Sequence, residues 1–221
     1  VAGELSGARA EELLTSCRAS GIRLVGPASA GILDNRPGRE LNVTAFEALP
    51  PAGSIGIVSQ GATASRRLLA TAARRDIGVS TFVSLGDRAD ISANDLLEYW
   101  EDDRATAVAL LQVESFSDPR RFARVARRFG TRKPIVVLAQ QDADEPPGRG
   151  LFDQVGAIRV DSVDGALNVA AALAERAPGK WAGGDPIPFV TLPSARADEA
   201  AAVLAAALGG QEEELGRVAC A

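Results

Sequence analysis

The sequence contains no histidine among its 221 residues and only two cysteines, Cys17 and Cys220. Without histidine the chain has no Ser-His or Cys-His nucleophile pair, no histidine metal ligand and no phosphohistidine. Two cysteines near opposite ends do not make a disulfide framework or a cysteine-rich metal site. We therefore expect a cytoplasmic, reducing environment and no metal bound by this chain.

Long apolar runs and a basic region are also missing. No apolar stretch approaches the ~20 residues that span a bilayer, and the first residues lack the basic and apolar regions of a signal peptide. The 24 basic and 29 acidic residues are interspersed and give a net charge of −5. We expect neither a membrane nor a nucleic acid as a partner.

What the sequence does contain is a regular alternation of short β-branched runs and longer helical periods. This alternation predicts βα units around a parallel sheet. The predicted strands are 55–58, 79–85, 107–113, 134–139 and 157–160, and the predicted helices are 61–75, 94–101, 119–129 and 163–176. Five such units favour a doubly wound, flavodoxin-like α/β fold over an eightfold barrel, which needs roughly 250 residues.

The flanking segments have a different pattern. Residues 8–20 read as a helix and 23–25 as a short strand, and a loop rich in glycine and proline over 26–53 reads as a linker. A second linker is expected over 178–188, and a short helix is possible over 151–155. After the second linker, a strand over 189–192 and a helix over 195–208 would begin a second α/β unit or dock on the first.

Several motifs occur in the order and spacing of one protein family. They are GIRLVGP at 21–27, LNVT at 41–44, LPPAG at 49–53, IGIVSQ at 55–60, FVSLGDRAD at 82–90, NDLLEYWEDD at 94–103 and VES at 113–115. Together they resemble the NDP-forming acyl-CoA synthetases, which include the ADP-forming acetate–CoA ligases and the α-subunit of succinyl–CoA ligase. The resemblance covers roughly residues 21–174, and the NDLLEYWEDD block is its most specific part.

The resemblance implies a two-part module in a longer protein. A CoA-binding Rossmann domain would lie mostly upstream, so residues 1–50 are expected to be its C-terminal remnant and linker. Residues 51–177 would be the flavodoxin-like CoA-ligase domain, and 178–221 a linker plus the start of a further unit or tail. CoA or acyl-CoA would bind the full-length protein, and ATP or ADP only through a partner domain.

The resemblance also implies partners. They are an ATP-grasp subunit or domain, or an acetyltransferase domain, because the same module occurs fused in bacterial protein acetyltransferases. A homo-oligomer is expected as well.

The turn Ser59-Gln60-Gly61-Ala62 joins a strand to a helix, and free amides with the helix dipole make such a turn an anion site. In the family the corresponding turn cradles a phosphate. Here Gly61 and Ala62 stand where the family has serine and glycine, so a hydroxyl donor is lost. The alternative interpretation is an ordinary βα turn with a serine cap.

Glu114 ends the third predicted strand, at the sheet edge where open α/β folds place their sites. The family's glutamate at this position pairs with the active histidine, so Glu114 would be the vestige of that site. The alternative is a carboxylate that bonds loop amides. Asp87, Arg88 and Asp90 match a family stretch used at a domain contact, and they suit a plain surface equally well.

The segment Gly26-Pro27-Ala28-Ser29 resembles the family's loop near the CoA thiol, with Ser29 in place of cysteine. A purely structural turn explains the same residues, because Gly-Pro alone sets the geometry. Family ligases hold their histidine in the loop after the fourth strand. Here residues 140–148 are short, acidic and proline-containing, and Asp142 has no evident base or metal for forming an acyl phosphate.

Three functions remain open, with no catalytic residue assigned. The first is a catalytically degenerate acyl-CoA-synthetase-like domain that acts as a regulatory or assembly module of a larger CoA-dependent protein. The second is a working ligase, interconverting acyl-CoA, NDP and phosphate with acid, CoA and NTP, whose relay is supplied elsewhere. The third is a protein-interaction scaffold. The missing histidine favours the first and third, and the retained Ser59 turn and Glu114 favour the first over the third.

Overall fold

Continuous apolar runs form the centre of the sheet because strands covered by helices on both faces need no polar side. A computed structural model describes residues 7–114, 116, 118–138, 152, 154–176 and 191–192 of this chain. Its helices are α1 Gly7–Ala19, α2 Ala62–Arg74, α3 Ala93–Asp102, α4 Pro119–Gly130 and α5 Val163–Arg176. Its strands are β1 Ile32–Asp34, β2 Leu41–Asn42, β3 Ala52–Ser59, β4 Val79–Ser84, β5 Val108–Gln112, β6 Ile135–Leu138, β7 Ile158–Val160 and β8 Thr191–Leu192.

The sheet has eight strands in the order β2-β1-β4-β3-β5-β6-β7-β8. Strands β4, β3, β5, β6, β7 and β8 pair in parallel, whereas β1 is antiparallel to both β2 and β4. The chain goes from β3 outward to β4 and then back past β3 to β5. This reversal makes the carboxyl ends of β3 and β5 the topological switch point, where doubly wound folds bind ligands.

Helices cover both faces of the sheet, as the doubly wound prediction requires. One core contains Ile57 of β3, Leu68 of α2 and Leu167 of α5, and the other contains Trp100 of α3 and Phe122 of α4. The alternation along β3 divides its side chains between these two cores. The predicted flavodoxin-like α/β fold is confirmed, and none of the described helices is long and apolar enough to cross a membrane.

Two glycines set close contacts of the central strand β3. A Cβ on Gly56 would lie 2.7 Å from Cε2 of Trp100, so glycine is what lets the indole of α3 lie on the sheet. At the amino end of β3, a Cβ on Gly53 would lie 2.3 Å from Cα of Gly78. The main chains of these two glycines are therefore in direct contact. Trp100 is fully buried, and its Nε1 donates to Oγ1 of Thr81 at 2.7 Å.

The linker predicted over 26–53 is corrected by the structure. It contains β1 and β2, which extend the sheet beyond β4. The buried side chain of Arg36 holds β1 against the end of α3. Its guanidinium pairs with Asp34 of β1 at 2.5 Å and with Asp103, which follows α3, at 3.2 Å. The hydrogen bond from Arg36 holds the pKa of Asp34 below its usual range.

The strand predicted over 23–25 is also wrong. Leu24 is buried there without a strand, and its N–H donates to Oδ2 of Asp90 at 2.9 Å. At the other end, β8 pairs with β7 in parallel, so the described part of the predicted 189–192 strand docks on the first sheet. Residues 139–150, 177–190 and 193–221 lie outside the described residues, including Asp142, the second predicted linker and the helix predicted over 195–208. The division at residues 50 and 177 stays a prediction.

The predicted central elements are found within one residue of their expected limits, except β3, which begins three residues before the predicted strand 55–58, at Ala52. The fourth strand is found as Ile135–Leu138, and the helix 163–176 has its predicted limits. Ser92 is the N-cap of α3. Of the short helix predicted over 151–155, Phe152 and Gln154 are described and helical.

Candidate functional site at the switch point

The Ser59–Ala62 turn, hereafter the α2 turn, lies at the switch point and leads into α2. Gly61 is the N-cap of α2 with φ 89°, a left-handed backbone angle that favours glycine. No side chain caps this helix, and its first turn holds no acid. Among the described residues, the first N–H groups of α2 therefore have neither an intrahelical acceptor nor a side-chain acceptor, which is the arrangement that favours an anion.

Ser59 lies beneath the turn rather than at its surface. It is fully buried, and its hydroxyl donates to Oε1 of Gln112, the last residue of β5, at 2.6 Å. The same Oε1 accepts the N–H of Gln60 at 3.1 Å. The hydroxyl predicted to contribute to an anion site thus holds the turn onto β5, and the turn presents its backbone.

Gln112 was not singled out from the sequence, although the structure makes it the centre of this junction. Its side chain is 1% exposed, and its Nε2 has no hydrogen-bond partner. Buried polar atoms without a partner are rare in folded proteins. The available signal was a polar residue closing the apolar run Val-Ala-Leu-Leu-Gln at the edge where sites occur.

Glu114 reaches the mouth of the α2 turn. Its N–H donates to Oε1 of Gln60 at 3.0 Å, and a Cβ on Gly61 would lie 3.7 Å from its Oε1. Glu114 is exposed, and among the described residues its carboxylate accepts no hydrogen bond from a loop amide. The structure therefore brings Ser59, Gln60, Gly61 and Glu114 together, with Gln112 between them.

The predicted CoA-proximal loop is a tightly bonded turn in this chain. The hydroxyl of Ser29 donates to the carbonyl of Ser84 at 2.6 Å and accepts the N–H of Gly31 at 3.0 Å. The N–H of Asp87 donates to the carbonyl of Pro27 at 2.8 Å, and the N–H of Ala89 donates to the carbonyl of Gly26 at 3.0 Å. Both hydrogen-bonding capacities of the Ser29 hydroxyl are thus used inside the fold.

This loop and the α2 turn are joined by hydroxyl groups. The hydroxyl of Ser84, at the end of β4, accepts the N–H of Ala30 at 3.0 Å and lies 3.3 Å from the hydroxyl of Ser65 in α2. The hydroxyl of Ser65 in turn donates to the carbonyl of Gly61 at 2.8 Å. The two predicted sites therefore belong to one edge of the sheet.

Asp90 ties the segment before β1 to this edge. Its Oδ2 accepts Nε of Arg23 at 2.8 Å, and Arg18 approaches its other oxygen at 4.0 Å. The hydrogen bond from Arg23 lowers the pKa of Asp90 below its usual range. Within the described residues, no group of three or more histidine, cysteine, aspartate or glutamate side chains is placed to hold a metal.

Residues 52–146 match the family described as the succinyl-CoA ligase like flavodoxin domain. Over these residues the chain is similar to the NDP-forming acyl-CoA synthetases. The resemblance predicted from the sequence is thereby confirmed, and the chain contains a CoA-ligase-like domain of these synthetases.

Relatives of the synthetase family match the chain over different lengths. The ADP-forming acetate–CoA ligase of Methanocaldococcus jannaschii is 38% identical over 117 residues, which cover 53% of this chain and 16% of that enzyme. Subunit alpha of the ADP-forming acetate–CoA ligase II of Pyrococcus furiosus is 27% identical over 80% of this chain and 41% of the subunit. The chain thus spans less than half the length of these relatives.

A solved synthetase structure supports the same placement. The dinucleotide-forming acetyl-coenzyme A synthetase 1 of Ca. Korarchaeum cryptofilum, in complex with phosphate and ADP, superposes with a TM-score of 0.68 at 28% identity. The superposition covers 76% of this chain and 40% of that protein. An ATP citrate lyase from Methanothrix soehngenii shares the fold at 14% identity, with a TM-score of 0.60.

Proposed function

We propose that this CoA-ligase-like domain has lost the phosphoryl relay of the synthetases and is a regulatory or assembly module of a larger CoA-dependent protein. The observation that carries the proposal is the absence of histidine from all 221 residues. The family relay needs a nucleophile that accepts a phosphoryl group at one site and returns it at another. Imidazole suits this task because it is partly neutral near pH 7 and its phosphoramidate transfers readily.

The nucleophiles that remain near the switch point are poorly suited to replace histidine. The hydroxyl of Ser59 is buried and donates to the amide oxygen of Gln112, which is not a base. A serine hydroxyl is a weak nucleophile unless a neighbouring base removes its proton. Glu114 lies exposed at the mouth of the turn, and within the described part of the chain no basic side chain forms a salt bridge with its carboxylate.

The retained function would be the binding of an anion at the α2 turn. Support comes from the N-terminus of α2, which no side chain caps, and from the buried Nε2 of Gln112 beside it. A phosphate group of CoA, acyl-CoA or a nucleotide is the class of ligand we propose. In the full-length protein, CoA would come from a Rossmann domain, and ATP or ADP from an ATP-grasp partner.

The assembly around this module is also proposed. Support comes from the Pyrococcus furiosus relative, which is named a subunit alpha. We propose that an ATP-grasp or acetyltransferase domain accompanies the module in a cytoplasmic homo-oligomer. The full reading frame of the gene tests this assembly, because a flanking Rossmann, ATP-grasp or acetyltransferase domain would be visible there.

Phosphoryl transfer is the direct test. We expect the purified chain, incubated with labelled ATP or with acyl phosphate and CoA, to give no acid-labile phosphoprotein and no acyl-CoA. A stoichiometric phosphoenzyme, or turnover after addition of an ATP-grasp subunit, would contradict the proposal and favour a working ligase. Binding of inorganic phosphate, weakened by added salt, would separate an anion-binding module from a scaffold that retains only the fold.

A further inference from the structure

The large apolar side chains that stay exposed are concentrated at one edge of the sheet. Among the described residues they are Ile22, Leu41, Val43 and Tyr99, with exposed fractions between 45% and 59%. Leu41 lies on the edge strand β2, Val43 lies just after it, and Tyr99 lies on α3. Single apolar residues on a surface need no explanation, whereas a contiguous apolar patch marks an interaction site.

The register of β1 and β2 places Leu41 and Val43 on the face of the sheet that α3 covers. Leu33 packs in the core that contains α2, so its neighbours Ile32 and Asp34 point to the opposite face. Leu41 lies directly opposite Asp34, and the N–H of Val43 donates to the carbonyl of Ile32 at 2.9 Å. Because directly opposed residues share a face, both apolar side chains of this edge lie on the α3 side.

Tyr99 joins the same surface through Arg36. The guanidinium of Arg36 pairs with Asp34 and lies 5.3 Å from the centroid of the Tyr99 ring. Since Asp34 faces Leu41 across the two strands, the ring and the apolar side chains of the edge lie on one surface. We call Leu41, Val43 and Tyr99 the β2 patch.

Within the described part of the chain, the main chain at this edge is also open. The ladder bond from Val43 to Ile32 makes the neighbouring pair, Leu33 and Asn42, a non-hydrogen-bonded pair. The N–H and C=O groups of Asn42 therefore point away from β1. Both residues of β2 are exposed, and no described strand lies beyond them. An uncovered edge of this kind can pair with another strand.

We propose that two copies of this chain associate through their β2 edges about a two-fold axis, an inference that rests on the homo-oligomer of the proposed function. Antiparallel pairing centred on Asn42 lets each copy donate its Asn42 N–H to the Asn42 carbonyl of the other. In that register Leu41 of one copy lies directly opposite Val43 of the other, on both sides of the axis. The contact is self-complementary, as a two-fold interface requires.

A second copy fits this edge for reasons of length and charge. The strand β2 has only two residues and follows Arg39 and Glu40, features that disfavour open-ended pairing with arbitrary strands. A second copy brings a strand of the same length with its apolar side chains on the same face. Glu40 faces Thr44 of the other copy in this register, so no like charges are directly opposed.

Pairs of charges across the axis test the register. In Leu41→Glu/Val43→Glu, carboxylates face one another at both contacts, so the dissociation constant of the dimer should rise at least about tenfold. In Leu41→Glu/Val43→Lys, each carboxylate faces an ammonium group of the other copy, so the dimer should persist. Sedimentation velocity over a range of concentrations of the 221-residue chain measures both. Ile22→Glu is the matched control, because Ile22 is 59% exposed and belongs to the turn after α1, and it should leave the dimer unchanged.

The main-chain contact is tested by Asn42→Pro. Proline lacks the N–H that would cross the axis, whereas the Val43 N–H that bonds β1 is kept. Asn42→Ala is the matched control, because both variants lose the side chain that accepts from Thr44 and only the proline variant loses the N–H. We expect the proline variant to dissociate more readily, with the melting temperature of each variant reporting on folding.

The other outcomes overturn the inference in distinguishable ways. A dimer that withstands both double variants would place the interface elsewhere, and the homo-oligomer would stand without this contact. Loss of the dimer in both double variants, or equal dissociation of the two Asn42 variants, would contradict the pairing described. A chain that stays monomeric at every concentration would overturn the inference and the homo-oligomer together, while the phosphoryl-transfer test of the lost relay would be unaffected.

Discussion

Helices α2 and α3 begin at the same edge of the sheet, on opposite faces, and their N-termini are treated differently. That of α3 is closed by its own residues. Ser92 and Asp95 form a capping box, in which Asp95 accepts the N–H of Ser92 at 2.9 Å and its hydroxyl at 2.5 Å. Arg121 and Arg23 neutralise Asp95 from outside the helix, at 3.2 and 3.6 Å.

The N-terminus of α2 has none of these features. Glycine is its N-cap, its first turn holds no acid, and the carboxylate of Glu114 that approaches it belongs to the segment after β5. The open N-terminus of α2 follows β3 at the switch point, whereas the closed one of α3 follows β4, which lies to one side of it. The difference shows that side chains close the N-terminus of α3, whereas the N-terminus of α2 stays open at the position where the anion site is proposed.

The largest effect is expected from overfilling the packing between β3 and α3. Gly56→Ala would place a methyl group 2.7 Å from Trp100, so the indole or the strand must move. We expect a loss of about 1–3 kcal/mol in the free energy of unfolding, measured by urea denaturation. Gly7→Ala is the control, since nothing lies within 4 Å of its Cβ position. An unchanged midpoint for Gly56→Ala would show that the indole has room to shift.

Removing the α3 cap should have a smaller effect. Ser92→Ala deletes the hydroxyl bonded to Asp95, and we expect a loss of about 1 kcal/mol in the free energy of unfolding. Thr63→Ala is the matched change in α2, where the exposed Thr63 caps nothing. It should leave the unfolding midpoint nearly unchanged. Equal losses for the two variants would remove the contrast between the two N-termini.

Lowering the pH should destabilise the N-terminal turn of α3 more than that of α2. Burial acts to raise the pKa of Asp95, but hydrogen bonds from Ser92 and Arg121 outweigh it and lower that pKa. Because the folded-state pKa is lowered, the stabilisation is present above the ordinary aspartate value of about 3.9 and is lost as pH falls through the folded-state pKa. Amide exchange at 93–95 should therefore accelerate in acid more than exchange at 62–64. The Asp95→Asn variant should show no such acceleration. If acid still accelerates amide exchange in this variant, another carboxylate is responsible.

Weak anion binding should give the smallest effect. Adding phosphate to the labelled chain is expected to shift the amide resonances of residues 62–64 and to leave those of residues 93–95 in place. An anion at a helix N-terminus gains only about 0.3–1 kcal/mol from the dipole, so the shifts should need a large excess of phosphate. Chloride at the same ionic strength is the control. Equal shifts at both N-termini would indicate a general salt effect.

The central elements could be predicted from the sequence because their signals are strong and local. Strands such as Val108–Gln112 are apolar runs buried on both faces, and α4 carries proline in its first turn after an aspartate cap. Strands β1 and β2 could not be predicted in the same way. They are only three and two residues long, lie among glycine and proline, and depend on pairing with β4 and on the buried guanidinium of Arg36.

The position of the candidate residues at strand ends could be read from the sequence, whereas the contacts between their side chains could not. The sequence places Ser59 and Glu114 at strand ends, which brings them to one edge in any parallel sheet. It does not show that the Ser59 hydroxyl turns inward to Gln112, because that choice depends on the spacing of β3 and β5 and on how tightly α2 covers them. The donor left over on Gln112 follows from that packing, and so it emerges only in three dimensions.

The contact between Gly53 and Gly78 at the amino end of the sheet has a consequence for how this sequence can diverge. Each glycine excludes a side chain on the other through main-chain atoms, at 2.3 and 2.7 Å from the two Cβ positions. A compensating mutation cannot relieve a clash with a backbone atom, because no substitution removes that atom. Both positions should therefore remain glycine in descendants of this chain for as long as β3 and β4 stay paired, whatever ligand the opposite edge comes to bind.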